Sequence, residues 1–174
     1  LIAEFHFICY ASVLSGPDVI ILRAKSGAYP YPQRLAEDLG QRMPALPTAM
    51  GIAMLSRETD ETVLSTLKRE VKTQADRQRV LAAMAQARRM GFYKLTNGMS
   101  LGITAIGTAV QDPATGGRIG FSVSDPPGSV DEALFKRMTG RLWREAQRIG
   151  VTVGDPYWKN PMSNRGVLDM PDPG

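Results

Sequence analysis

One cysteine and one histidine in 174 residues remove several kinds of chemistry at once. Cys9 has no second thiol to pair with, so no internal disulfide can brace the fold, which agrees with a reducing, cytoplasmic setting. With His6 as the sole imidazole there is no Cys/His cluster for zinc. The two residues lie three apart on the apolar run His6-Phe7-Ile8-Cys9-Tyr10, where alternation along a strand sends them to opposite faces and excludes a nucleophilic pair. A Ser-His-Asp relay would have to use the same buried histidine, and no Gly-x-Ser-x-Gly turn is present. Both glycine-rich phosphate loops, Gly-x-x-x-x-Gly-Lys-Ser/Thr and Gly-x-Gly-x-x-Gly, are missing, as is an Asp-x-Asp-x-Asp-Gly calcium loop. No apolar run approaches the roughly 18 residues of a membrane span, and no secretory leader is visible at the start.

Aromatic residues are sparse where charge is dense. The net charge is +4 and the sequence pI about 9.4. Lys68, Arg69, Lys72, Arg77, Arg79, Arg88 and Arg89 carry much of this excess in polar helical stretches without interleaved aromatics or a helix-turn-helix pattern. A second group, Arg137, Arg141, Arg144 and Arg148, forms a stripe on the last helix, read as a solvated face or as a contact for an acidic surface or a phosphate backbone.

What is present describes one globular domain, since 43% hydrophobic and 22% charged residues are close to ordinary globular composition. Residues 4–14 and Val19 to Leu22 read as two strands joined at Ser15-Gly16-Pro17-Asp18. The prolines of Tyr29-Pro30-Tyr31-Pro32 demand an irregular crossing. Residues 33–39 fit a short helix or an extended segment. Thr48 caps a helix over 49–56, Asp60 caps a second, and a third runs from Asp76 to Met90, closed by a left-handed Gly91. Met99 to Gln111 and Arg118 to Asp125 form a hairpin around 112–117. Ser129-Val130-Asp131-Glu132 is a capping box for a helix whose stripe of Phe135, Met138, Leu142, Ala146 and Ile149 ends at Gly150. Residues 151–174, with four prolines, read as an extended tail anchored by Trp158. The fold class is α+β, an antiparallel sheet with helices packed on it.

Gly102 and Gly107 each remove a side chain from the long strand, beside Thr104, Ala105, Thr108 and Ala109. Ser122 and Ser124, two apart on the next strand, point to one face while Ile119, Phe121 and Val123 point to the other. Paired hydroxyls beside absent side chains describe a cavity floor with polar handles. The other reading is a helix packed tightly on this face, with the serines bonded to backbone.

Four segments in order carry a family resemblance: Pro-x-x-Pro-Thr-Ala-x-Gly-x-Ala over 44–53, Arg-x-x-Gly-aromatic over 88–92, Gly-x-x-Ala-x-x-x-Ala-Val-x-Asp over 102–112, and Phe-Ser-Val-Ser-Asp-Pro over 121–126. From Phe5 to Gly150 the chain resembles the effector-binding domain of IclR-type (isocitrate lyase regulator) transcriptional regulators. The resemblance implies a GAF-like curved antiparallel sheet flanked by helices over residues 1–150, a sensor with no catalytic residue, cofactor or metal. It places the effector against Ala49, Met50, Leu95, Ile103, Ala105, Ser122 and Ser124. It further implies a homodimer or homotetramer, and contact with operator DNA only through an N-terminal winged helix-turn-helix domain. The chain lacks that domain and opens on Leu1 without an initiator Met, so it reads as a fragment. Two departures bear on the ligand: the loop Lys94-Leu95-Thr96-Asn97-Gly98-Met99 lacks the acidic residues often found there, and Pro47 replaces a commonly seen His. Fewer polar partners point to a small organic acid with an aromatic or apolar body. Two rival readings are an effector-free structural dimerisation module and a small hydrolase or acyltransferase using Ser122 or Cys9.

Overall fold

The computed structural model describes residues 8–25, 39–98, 103–125 and 131–160. The candidate helix or extended segment at 33–38, the crossing at 29–32, His6, Gly102, Ser129 and the chain beyond 160 lie outside them. Six strands form one curled antiparallel sheet: β1 (Ile8–Ser15), β2 (Asp18–Lys25), β3 (Arg42–Pro44), β4 (Tyr93–Gly98), β5 (Ile103–Gln111) and β6 (Arg118–Asp125). Their order is β3-β2-β1-β6-β5-β4, so the first strand pairs with the last in the middle of the sheet. Gly16, at φ +60°, supplies the left-handed backbone that closes the β1–β2 turn. At the β5–β6 tip the Asp112 carboxylate accepts from the Ala114 amide and the Thr115 hydroxyl, both at 2.9 Å, which holds the six-residue loop in shape.

The helices α1 (Ala49–Leu55), α2 (Asp60–Thr66) and α3 (Gln74–Met90) cover one face, while α4 (Glu132–Val153) and α5 (Pro156–Lys159) cover the other. Strand alternation divides β5 between two cores. Ala109 belongs with Met50, Met54, Val80 and Met84, whereas Ile106 and Val110 belong with Met138, Leu142, Trp143 and Trp158. All seven residues of α1 are buried, because it lies between the sheet and α3. Its N-cap is Thr48, whose hydroxyl accepts from the Gly51 amide at 3.0 Å and donates to the Ala45 carbonyl at 2.9 Å. Gly91 ends α3 at φ +75°.

Several boundaries differ from those expected, for identifiable reasons. Thr59, not Asp60, caps α2, and Thr73 opens α3 through a reciprocal capping box with Asp76. Residues 93–98, read as a loop, form the edge strand β4, and Arg42–Pro44 adds the short edge β3. Asp131 caps α4, which passes through Gly150 and stops at Gly154, φ +86°. The expected extended tail is therefore helical over 151–153 and again over 156–159, where Pro156 occupies the first turn and Asp155 caps it through the Tyr157 amide at 3.0 Å. Gly150 has another use. A Cβ there would stand 2.2 Å from Trp158 Cδ1, so the missing side chain is what lets the indole pack on α4.

Candidate functional site

The β5–β6 and β1–β6 registers set the site. Gly107 lies opposite Ser122, and Ser122 opposite Tyr10. In the neighbouring row Leu95, Ala105, Ser124 and Ile8 stand side by side across four strands. Ile103, two residues before Ala105, continues that face. The N-terminal end of α1 rests directly on this surface: a Cβ on Gly107 would lie 2.3 Å from the Ala49 carbonyl carbon and 2.3 Å from the Met50 amide nitrogen. Glycine here is what permits helix backbone to touch strand backbone.

Ala49, Met50, Gly107 and Ser122 thus meet at one point. The Ser122 hydroxyl, 3% exposed, donates to Met50 Sδ at 3.3 Å. Ala105 is buried, and Leu95, Ile103 and Ser124 are half-buried in the adjoining rows. All seven residues singled out from the sequence therefore lie at one face, four of them (Ala49, Met50, Ala105, Ser122) buried. Both sequence-based readings of the serines have something in this arrangement: a helix does pack on the face, yet Ser122 bonds to a thioether, a weak acceptor, rather than to backbone.

Tyr10 is not among the residues expected at the site. It shares the row of Gly107 and Ser122, and burial pushes its hydroxyl up to about 12, so it stands beside the site as a neutral phenol able to donate. Strand alternation through Tyr10, Ser12 and Leu14 is the signal that points to this face.

Cys9, the neighbour of Tyr10, turns to the other face and packs with the α4 core. Burial pushes its thiol up to about 11. Nucleophilic use of Ser122 and Cys9 together is excluded by the sheet between them. The shift favours the protonated thiol in the folded state, a stabilisation present below pH 9 and lost as pH climbs from about 9 to 11. Alkylation of Cys9 by iodoacetamide at pH 8 should accordingly run about 100-fold slower in the native protein than in urea. Equal rates would show that the fold neither shields the thiol nor raises its pKa, and a faster native rate would show it to be activated.

The arginine stripe of α4 is largely engaged on its own helix. Glu145 holds Arg148 at 3.0 Å and Arg141 at 3.8 Å, and Arg144 Nε donates to the Gly140 carbonyl at 3.3 Å. Among the described residues no group of His, Cys, Asp and Glu is placed to hold a metal ion, and no helix is long and apolar enough to cross a membrane.

No curated protein sequence matches the chain. Solved structures do. The IclR of Thermotoga maritima superposes with a TM-score of 0.75 at 17% identity, covering 88% of this chain and 64% of that one. The C-terminal domain of the E. coli transcriptional regulator KdgR gives 0.68 at 18% identity, covering 85% and 88%. The inducer-binding domain of PobR from Acinetobacter, a double mutant solved with 3-hydroxybenzoic acid, gives 0.66 at 20% identity, covering 83% and 87%. Against BlcR of Agobacterium tumefaciens, TM-score 0.70 at 17% identity, the chain covers 60% of the solved chain from 85% of its own length, so it spans about three-fifths of such a regulator. At these identities the superpositions establish the fold, and the expected curved antiparallel sheet flanked by helices is what they share. The family model for the C-terminal region of bacterial IclR transcriptional regulators matches residues 1–151, and the chain belongs to that family of regulatory domains.

Proposed function

We propose that this chain is the effector-binding and oligomerisation domain of a one-component regulator, taking a small organic acid between the sheet and the entry to α1. The observation that carries this reading is the bond from the buried Ser122 hydroxyl to Met50 Sδ. A thioether is a poor acceptor on a flexible side chain, whereas a carboxylate in the same place would accept a charge-assisted bond. An entering acid gains more from Ser122 than Met50 does, and Met50 has rotamers available to make room. Ser124 and Tyr10, on the same face, supply further donors. Binding would act on DNA by favouring one arrangement of the full regulator over another, and only by the difference in affinity between them. The winged helix-turn-helix domain that reads the operator, a cytoplasmic site of action and a dimeric or tetrameric state all belong to this reading. Velocity sedimentation at tens of micromolar, a scale suited to weak interfaces, should show self-association. A monomer throughout that range would remove the oligomerisation part.

The test of the ligand is a thermal-shift screen of aliphatic and aromatic carboxylic acids, led by hydroxybenzoates because a PobR domain of the same fold was solved with one. An acid at about 100 times its Kd should add roughly 2.7 kcal/mol, or about 5–10 °C for a domain of this size. Replacing both Ser122 and Ser124 with Ala should then weaken binding of that acid by roughly 100- to 10,000-fold in calorimetric titration, since each hydrogen bond to a charged group contributes about 1.5–3 kcal/mol and two are lost. Unchanged affinity would make the serines packing residues only. A second reading, a dimerisation module filled by its own side chains, draws on the same Met50 contact, and it predicts that no acid raises the melting temperature of a self-associating chain.

A further inference from the structure

β4 begins at Tyr93, opposite Gly107, so among the described residues the edge of β5 beyond that point has no strand beside it. Side chains take the strand's place. The Ala109 carbonyl accepts from Trp158 Nε1 at 3.0 Å and from Arg57 Nη2 at 2.7 Å, and the Gln111 amide donates to Asp155 Oδ2 at 2.8 Å. The Tyr157 hydroxyl donates to the Arg88 carbonyl at 3.0 Å, and its ring lies 3.5 Å from the Arg57 guanidinium carbon. Arg88 in turn fastens the end of α1: its Nε donates to the Ser56 carbonyl at 2.8 Å and its Nη2 to the Glu58 carbonyl at 2.6 Å. Arg57 and Arg88, which flank the C-terminal end of α1, are thus both tied to the segment of Asp155, Tyr157 and Trp158, which lies past residue 151, where the family match ends. The other end of the same seven-residue helix carries Ala49 and Met50 onto Gly107 and Ser122.

We propose that Asp155, Tyr157 and Trp158 form a latch that positions α1, and that its closure sets where Met50 sits over Ser122. The three act as positioning residues, roughly 10 Å of helix away from the contact they govern. A short helix clamped at one end and resting backbone-on-backbone at the other moves as a unit, so a displacement at Arg57 is delivered to Met50. Beside the latch a cleft of about 480 Å³, bordered by Arg57, Glu58, Arg88 and Tyr157, gives the Tyr157 ring room to withdraw. The consequence for ligand affinity rests on the function proposed above, but the mechanical coupling does not, and it can be read without any ligand.

The experiment uses the chain labelled with ¹³C at the methionine methyl groups. Gly150→Ala drives a methyl into Trp158 while favouring the helix it sits in, and Tyr157→Phe removes only the hydroxyl bonded to Arg88. In both variants the Met50 methyl resonance should move or broaden while that of Met43, on the far edge strand β3, stays, and the amides of 52–56 should exchange at least tenfold faster. Should Gly150→Ala shift every methyl together, the decision passes to Tyr157→Phe. An unmoved Met50 signal in a variant whose Trp158 indole resonance has shifted, or in Tyr157→Phe, overturns the latch and leaves the ligand site to stand or fall on the carboxylate screen.

Discussion

Gly107→Ala should lower stability by about 3 kcal/mol, in the upper part of the range for overpacked cores, and the melting temperature by about 6–12 °C. Burial alone does not make the effect large. What matters is the kind of atom the new methyl meets: the Ala49 carbonyl carbon and the Met50 amide nitrogen, each 2.3 Å from the position of the Cβ. Backbone in the first turn of a helix capped by Thr48 cannot swing aside as a side-chain end can, so α1 must lift from the sheet. Gly120→Ala is the control. Its Cβ would meet Met54 Cε at 2.9 Å, the free end of a flexible thioether, and the loss should be about 1 kcal/mol. Thermal melts of the two variants side by side would decide, and equal losses would contradict this account of how α1 is seated.

Trp158→Ala should cost about 3–5 kcal/mol, as expected for removing a fully buried indole. The ring is held edge-on against Trp143, centroids 5.4 Å apart, and packs in the gap left by Gly150. Trp158→Phe should cost much less, about 1 kcal/mol, because Ala109 keeps Arg57 as a donor after the indole N–H is lost. A double-mutant cycle sharpens the point. Gly150→Ala, harmful while the indole is present, should become neutral or stabilising by up to about 1 kcal/mol in Trp158→Ala, where the methyl enters vacated space and the helix gains propensity. Urea denaturation gives all four values, and additivity would mean that the two residues do not share the space assigned to them.

Local chemistry makes much of this architecture legible in the amino-acid sequence. Thr48 and Gly91 are caps whose residue types announce their conformations, and the paired serines alternate with Ile119, Phe121 and Val123 as a two-faced strand must. Local signals mislead where a residue answers to a distant partner. Gly150 looks like a helix terminator, yet its missing side chain serves Trp158, and the helix runs on until Gly154. Pro156 looks like the start of an extended tail, yet Asp155 and proline's fixed φ open a helical turn. β4 has a proper alternation of half-buried Tyr93 and Leu95 with exposed Lys94 and Thr96, but so short a polar run resembles a loop unless the strand it pairs with is known. At the site, the pattern brings Gly107, Ser122 and Ser124 into view because they lie on neighbouring strands. It carries no sign of the Met50 sulfur on Ser122 or of Arg57 beneath Tyr157, contacts between residues 72 and roughly 100 positions apart that only the closed fold creates.

The sheet order has a consequence for how the chain is made. β1 is sewn to β6 by six residue pairs, and this one seam joins the β3-β2-β1 half to the β6-β5-β4 half. A ribosome adding about 5–20 residues per second releases β1 roughly 100 residues before β6, leaving the open edge of the first hairpin unmatched for about 5–20 s. For that interval Ile8 to Val13 presents an unpaired edge that another nascent strand could match until the last strand arrives.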